Sequence, residues 1–477
     1  MHYPWWYVPN LTSPMLIAMI ATVHVFVSLY AVGGGIVLAG ETSFAYKVNN
    51  KSLLDYLRSH TLFFILLTVV FGAITGVGIW WTIALSSPLA TESLIHIFVF
   101  GWAMEYVFFV LEVISAFIFH YYWGRLDPKT HRLIGWIYAV AAYISLVLIT
   151  GITAFQLDIG NWTPDKGMWV AFFNPQTFPQ IIARTGASLL LASLYTYLHA
   201  AFKLKGDHQL RALVENRTSR WAMAGAALVT VGGAWWFINL PDSARAALAG
   251  ASALNILSIL VFASSAVVFF MLYFGPYRNP GWINPGFAIL YFLLGIAATG
   301  TGEFIREGVR KPYIIYNYVT GNNVVVSDIP KMQSTGYLNG GTWTKAFVKA
   351  HYPQVMGADG NIADSKLLQL PPQDQINLGR VLFQYHCNDC HSVNGFSGIV
   401  ELTRGWSKDM IGTVVTHLDK AHFFMPPWCG TQAEATLLTE YLVSLSPPSP
   451  SGMRFSSVNA KSDHTFANQI EGEEVSK

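Results

Sequence analysis

The sequence predicts an all-α protein: a polytopic bundle of about eight transmembrane helices, followed by a small helical domain outside the membrane. Three observations carry that expectation. Hydrophobic residues fill 53% of the 477 positions and charged residues only 12%, about half the charged share of an ordinary soluble domain. Eight apolar runs reach about 20 residues, the length that crosses a bilayer as a helix. Beyond residue 301 such runs stop, and short amphipathic segments alternate with Gly and Pro.

The runs lie near 14–40, 61–86, 93–122, 133–156, 178–202, 221–240, 248–275 and 285–301. Some exceed the minimum, as tilted helices do. Sixteen tryptophans and 31 phenylalanines suit helix ends at a lipid boundary. The opening Met1-His2-Tyr3-Pro4-Trp5-Trp6 has no basic stretch of the kind that begins a cleavable signal, so the first run is expected to remain in the protein. Basic residues gather in alternate connections: Lys47, Lys51 and Arg58; Arg125, Lys129 and Arg132; Lys203, Lys205, Arg211, Arg217 and Arg220; and Arg278. The other connections hold only Lys166 and Arg245. The positive-inside rule then places the basic loops in the cytoplasm and both ends of the bundle on the periplasmic side of a bacterial inner membrane. The net charge of +2 by itself says nothing about nucleic acid, but no basic block appears, so membrane lipid and no nucleic acid is expected as partner.

Four segments follow from this reading. They are a membrane domain over 1–311, a connector over 312–370 on the periplasmic surface, a helical domain over 371–447, and a disordered tail over 448–477 rich in Pro, Ser and charge.

The helical domain carries Cys387-Asn388-Asp389-Cys390-His391. Two thiols at this spacing, followed at once by histidine, are what covalent haem attachment needs. The thiols of Cys387 and Cys390 add across the two vinyl groups, and the imidazole of His391 turns back to the iron. Met425, in Phe424-Met425-Pro426-Pro427-Trp428, is the expected second axial ligand. A zinc or redox Cys-x-x-Cys would need a second ligand pair or a thioredoxin-like βαβ context. Only Cys429 remains. With helical spacing over 374–383 and 433–445, the domain reads as a class I-like cytochrome c domain with one covalent haem c. Such haems are attached outside the cytoplasm, in agreement with the loop charges.

Ionisable residues inside apolar spans are functional candidates, because leaving them unpaired in lipid is costly. His24 lies well inside the first run. Glu105 and Glu112 lie one heptad apart in the third, on nearly the same face. His96 is expected on the same helix, nearer its outer end. Glu303 and Glu307 follow the eighth run beside Arg306 and Arg310. Taken singly, His24 reads first as a histidine bonded to a neighbouring helix, the glutamates as a hydrogen-bonded pair, and the arginines as interfacial anchors. Their similar depth favours haem ligation or proton handling.

These landmarks resemble subunit I of the cytochrome bd oxidases across roughly 14–315. His24 in Thr22-Val23-His24-Val25-Phe26, with Gly40-Glu41-Thr42 after it, is similar to the family's first-helix pattern. Glu112 in Phe109-Val110-Leu111-Glu112, before Trp123-Gly124-Arg125-Leu126, is similar to its third-helix pattern. Glu307-Gly308-Val309-Arg310-Lys311-Pro312-Tyr313 approximates its Glu-x-Gly-Arg-Gln-Pro-Trp motif. The resemblance implies His24 and Glu307 as ligands of membrane haems of type b, or d at the oxygen site. It also implies Glu105 and Glu112 as the acidic pair, while Arg310 is read as a group for haem propionates. The sequence departs from the family in four places. The loop that binds quinol between helices 6 and 7 shrinks to 241–250. Arg184 and the neighbourhood of Asn255 stand where low-spin haem ligands are expected. The first acid of the pair is shifted by one residue. The fused haem c domain belongs to a separate branch. The implied activity is that of a bd-like terminal oxidase subunit. It would take electrons from a periplasmic cytochrome c or other redox protein and work beside a second membrane subunit. The rival is a membrane electron-transfer subunit linking haem c to a partner enzyme or quinone pool. A passive anchor fits poorly with glutamates at depth.

Overall fold

A computed structural model describes residues 5–445, so the expected tail over 448–477 lies outside the described residues. Two compact units form, one over 13–326 and the other from 5–12 together with 327–445. The expected connector over 312–370 is therefore shared between them, and residues 5–12 belong with the C-terminal unit.

The first unit holds eight helices long and apolar enough to cross a membrane: α1 (Ser13–Lys47), α2 (Lys51–Ser86), α3 (Val99–Tyr121), α4 (Pro128–Ala154), α5 (Thr177–Lys203), α6 (His208–Ile238), α7 (Ser252–Tyr277) and α8 (Pro285–Gly308). This is a multi-pass membrane protein. Its even-numbered helices all start on capping side chains. Asn50 accepts from Leu53 N, Asp127 from Lys129 N and Thr130 N, Asp207 from Leu210 N, and Asn284 from Phe287 N. Proline stands at the first position of α4 and α8, where its missing N–H costs nothing. The caps extend α2 and α6 well before the runs expected at 61 and 221, because polar first turns do not register as hydrophobic.

α1 is the central post. A Cβ on Gly33 would stand 1.9 Å from the Ser188 carbonyl oxygen of α5, and one on Gly35 would stand 2.2 Å from the Tyr138 ring of α4. Glycine there lets the α5 backbone and the Tyr138 ring of α4 lie directly on α1, the usual means of tight packing in lipid.

The third expected helix, 93–122, is broken. Phe98 leaves helical geometry at φ −112 and ψ 28, separating a short helix, Pro88–Ile97, from α3. Phe98 is fully buried against Phe155 and Ile152, so packing outweighs helix continuity. His96 and Glu105 consequently sit on different helices. The 241–250 connection is itself a helix, Asp242–Gly250, with Ala244 and Ala247 buried. The chain is also not purely helical: β1 (Tyr313–Ile315) and β2 (Val319–Thr320) form an antiparallel hairpin. Ile315 and Val319 of that hairpin pack with Phe98, Phe155 and Trp162.

The second unit contains α9 (Ile329–Gly340), α10 (Thr344–His351), α11 (Pro372–His386), α12 (Lys408–Thr416) and α13 (Gln432–Leu445). α11 crosses α13 at Gly379, where a Cβ would meet the Leu437 carbonyl oxygen at 2.1 Å. Phe383 and Tyr441 pack beside the crossing, ring centroids 5.7 Å apart. Thr431 and Glu434 form a capping box: Thr431 Oγ1 accepts from Glu434 N, and Glu434 accepts from Thr431 N. The same buried carboxylate also accepts from Tyr337 N and Leu338 N at 2.8 and 2.7 Å, tying α13 to α9. Trp5 lies on Tyr385 at 4.2 Å, and Asn10 O accepts from Phe396 N at 2.8 Å.

Candidate functional site

In the second unit, α11 ends by delivering Cys387 as its C-cap. A further turn follows, with Cys390 N and His391 N both donating to Cys387 O. This turn groups the two thiols and the imidazole, and no disulfide joins Cys387 to Cys390. His391 Nδ1 is 3.0 Å from the Ser397 carbonyl oxygen. Donation to that carbonyl selects the tautomer in which Nε2 carries the lone pair, as an iron-ligating histidine requires. Asn388 Oδ1, Trp343 Nε1 and Trp428 Nε1 are buried with no hydrogen-bond partner among the described residues. Orphaned polar atoms of this kind beside a thiol–imidazole turn fit a bound group carrying its own acceptors and donors. The donor set therefore suits a c-type haem. Met425 lies partly buried in the 422–431 loop before α13, its N–H bonded to the His422 carbonyl.

Behind the motif, Tyr337 OH is hydrogen-bonded to His386 Nδ1 at 2.5 Å and accepts from Cys429 N at 3.1 Å. Burial, then the neighbouring His391, pushes His386 down to about 3, so the ring is held neutral.

In the membrane unit, Glu105 and Glu112 of α3 converge on Ser145 of α4, as their spacing leads one to expect of one helix face. Ser145 Oγ donates to Glu105 Oε1 at 3.0 Å, and the Ser145 hydroxyl and the Glu105 carboxylate both act electrostatically on the Glu112 carboxyl. Glu112 Oε1 is buried and has no hydrogen-bond partner among the described residues.

His24 Nδ1 is 3.1 Å from Thr75 Oγ1 on α2. The Thr75 hydroxyl also has the Phe71 and Gly72 carbonyls at 3.0 Å, and when it donates to either of them His24 Nδ1 is the donor to Thr75. Its Nε2 then holds the lone pair. A hydrogen bond to a neighbouring helix and readiness to ligate iron are thus both present in one ring.

At the end of α8, Arg306 pairs with Glu303 at 2.9 Å, and Arg310 pairs with Glu307. Arg310 is buried, donates to Ile314 O at 3.2 Å, and keeps an Nε–H without a partner among the described residues. Arg184 of α5 lies in electrostatic range of Glu303 and Arg306 and donates to Thr150 and Thr153. Three arginines against two glutamates leave a net positive charge, and the orphaned Arg310 N–H fits an anionic haem propionate. Among the described residues no hydrogen bond or ion pair joins His24, the Glu105–Glu112 pair and Glu307 to one another. Asn255 is exposed and donates to Ala249 O and Ala251 O.

Sequence reasoning passed over His60 and His199. His60 lies just before the second apolar run and His199 near the end of the fifth, so each reads as an edge residue. Only packing brings their rings within 4.8 Å.

No protein-family model matches the chain, and no curated protein matches it. Among solved structures, the bd oxidase from Geobacillus thermodenitrificans is similar, with a TM-score of 0.55 at 18% identity. The match covers 65% of this chain and 88% of that chain. The chain thus has a cytochrome bd-like membrane fold.

Proposed function

We propose that the protein is the catalytic subunit of a bd-like terminal oxidase fed through a cytochrome c domain of its own. Electrons from a periplasmic cytochrome c or similar redox protein would enter at the C-terminal unit. They would leave in the membrane unit, where oxygen is reduced to water. When bound, haem supplies one-electron transfer in both units and an iron centre for oxygen in the membrane. Cys387, Cys390 and His391 would hold haem c, with Met425 as its second axial ligand. His24 and Glu307 would ligate membrane haem of type b or d, and Arg310 would bind a propionate. Glu105 and Glu307 would serve as ligand or acid, and Glu112 would relay protons or support charge at the site. The membrane unit is read as lying in a bacterial inner membrane beside a second membrane subunit, with its N-terminus on the periplasmic side.

The observation that carries this reading is the meeting of Glu105 and Glu112 on Ser145 inside a bundle folded like a bd oxidase. Oxygen reduction consumes protons as well as electrons, and two carboxyls beside one hydroxyl at depth can store and pass them. A conduit for electrons alone has no use for them. A second reading, a membrane electron-transfer subunit, draws on Arg184 and Asn255. Both are committed to hydroxyl or backbone oxygen atoms where low-spin haem ligands are expected. Oxygen uptake by purified protein supplied with reduced cytochrome c decides between the two. Cyanide-sensitive uptake supports the oxidase, whereas reduction of membrane haem without uptake supports the conduit. A pyridine haemochrome spectrum identifies the haems in either case.

A further inference from the structure

The loop that carries Met425 and the turn that carries Cys387 and His391 are bridged by a side chain that belongs to neither. Tyr337 lies in α9, within the 312–370 segment expected as a connector, and is fully buried. Its hydroxyl is hydrogen-bonded to His386 Nδ1 at 2.5 Å and accepts from Cys429 N at 3.1 Å. His386 is the last residue of α11, immediately before Cys387. Cys429 follows Met425 by four residues. A single oxygen atom thus ties the attachment turn to the loop of the second ligand.

The bridge is part of a wider clamp. α9 breaks at Gly336, where φ is +77 and ψ 166. A Cβ there would stand 2.5 Å from Glu434 Oε1, so glycine is what lets the carboxylate come this close. The break turns Tyr337 N and Leu338 N onto that carboxylate, at 2.8 and 2.7 Å. One turn earlier, Gln333 Nε2 donates to the Trp428 carbonyl at 3.1 Å. The Trp428 ring packs edge-on against Tyr337 and His386, with centroids 5.1 and 5.3 Å away. α9 therefore fixes Trp428 and Cys429, and Glu434 fixes Thr431 N at 3.1 Å. Between Trp428 and Met425 stand only Pro426 and Pro427. Proline has a fixed φ and no N–H to bond elsewhere, so this stiff spacer passes the position of Trp428 on to Met425.

A thioether is an uncharged and weakly basic ligand, so it keeps its place on iron only while its loop is held. We propose that Tyr337 and Gln333 are positioning residues for haem c. They hold the Met425 loop against the Cys387–His391 turn, so that the methionine sulfur stays on the iron and small ligands stay off. Loss of the Tyr337 hydroxyl leaves the buried Cys429 N–H without its acceptor and frees the loop to shift. Tyr385 makes the contrast. Its ring packs on Tyr337 at 5.3 Å, but its hydroxyl accepts from Thr342 N at 3.4 Å instead of from the Met425 loop. The proposal rests on the haem c reading of the C-terminal unit and is independent of what the membrane unit does with oxygen.

The test uses full-length holoprotein carrying Tyr337→Phe, which removes one oxygen atom and keeps the ring. Tyr385→Phe is the control for loss of a buried phenol. Haem staining on a denaturing gel reports covalent attachment, and near-infrared magnetic circular dichroism reports methionine sulfur on ferric iron. Titration with imidazole, followed at the haem c band, reports how readily that sulfur is displaced. In Tyr337→Phe covalent haem should be retained, the affinity of ferric haem c for imidazole should rise at least tenfold, and its midpoint potential should fall. Tyr385→Phe should match the parent in all three. Gln333→Ala frees only the Trp428 carbonyl and should shift affinity and potential the same way by a smaller factor, so it carries the test if Tyr337→Phe loads no haem. Parental affinity and potential in haem-loaded Tyr337→Phe overturn the positioning role, and an equal shift in Tyr385→Phe reduces it to packing. Persistence of the methionine signal with parental imidazole affinity removes the clamp and leaves the haem c reading intact. Absence of that signal from the unaltered protein removes Met425 from the reading, and the clamp with it.

Discussion

At the scale of single residues, the C-terminal site rests on bonds that cannot be shared out. Cys387→Ser or Cys390→Ser should abolish double-thioether attachment while the membrane helices still insert. Haem staining on a denaturing gel reads this directly, and staining equal to the parent would remove the covalent site. Met425→His exchanges a soft sulfur ligand, which favours ferrous iron, for a nitrogen. The haem c midpoint potential should fall without loss of haem. An unshifted redox titration would place the second ligand elsewhere. His386 adds an acid limit. A histidine in the unfolded chain takes up a proton near 6.5, whereas folded His386 does so only near 3. Between those values the unfolded state binds more protons, so stability is complete above 6.5 and is lost as pH falls toward 3. The slope for one such group approaches about 1.4 kcal/mol per pH unit. Thermal unfolding of the C-terminal unit, followed by Soret absorbance from pH 7 to 4, should show that decline. His386→Gln should flatten it.

At the scale of elements, the C-terminal unit depends on how closely α11 and α13 approach. Gly379 stands where any side chain would strike the Leu437 carbonyl at 2.1 Å and the Tyr441 Cβ at 2.6 Å. Backbone cannot yield as a flexible side chain can. Gly379→Ala should therefore destabilise the unit by about 1–3 kcal/mol, the cost of overpacking a tight contact. A denaturant midpoint equal to the parent's would show that the helices can slide apart freely. In the membrane unit, Gly33 and Gly35 do the same for α1, and the Asx caps set where four helices begin. The Phe98 break is the counter-example, since an unbroken apolar pattern there gives way to burial of one aromatic ring against Phe155.

At the scale of the whole molecule, the proposed entry of electrons at the C-terminal unit is tested by what joins α6 to α7. Asp242–Gly250 is a short helix with Ala244 and Ala247 turned inward, and its titratable groups are Asp242 and Arg245. A quinol site there would need chain enough to cover an apolar ring and acid–base partners for two protons, and nine residues of helix provide neither. Reduced cytochrome c, or another periplasmic redox protein, should reduce the membrane haems, and Cys387→Ser should abolish that reduction. Quinol reducing those haems at a competent rate in the Cys387→Ser variant would sink the idea.

Hydrophobic runs, loop charges, helix caps and the Cys387–His391 motif act over a few residues or a single turn. They are therefore legible in the linear chain, and they placed the eight spans and the thiol–imidazole turn. The one-heptad spacing likewise put Glu105 and Glu112 on one face of α3. Which side chain faces them is another matter. Ser145 beside the carboxyls, Tyr30 on His60, and His199 beside it all depend on the rotation and depth of α1, α2, α4 and α5. Those are set by close contacts at Gly33, against the Ser188 backbone, and at Gly35, against the Tyr138 ring, between helices distant in sequence. Residues 5–12 joining the C-terminal unit through Trp5 on Tyr385 is a long-range choice of the same kind. The chain's local chemistry determined what could cross the membrane and what could hold a haem; only helix packing decided which buried acids, imidazoles and phenols would meet.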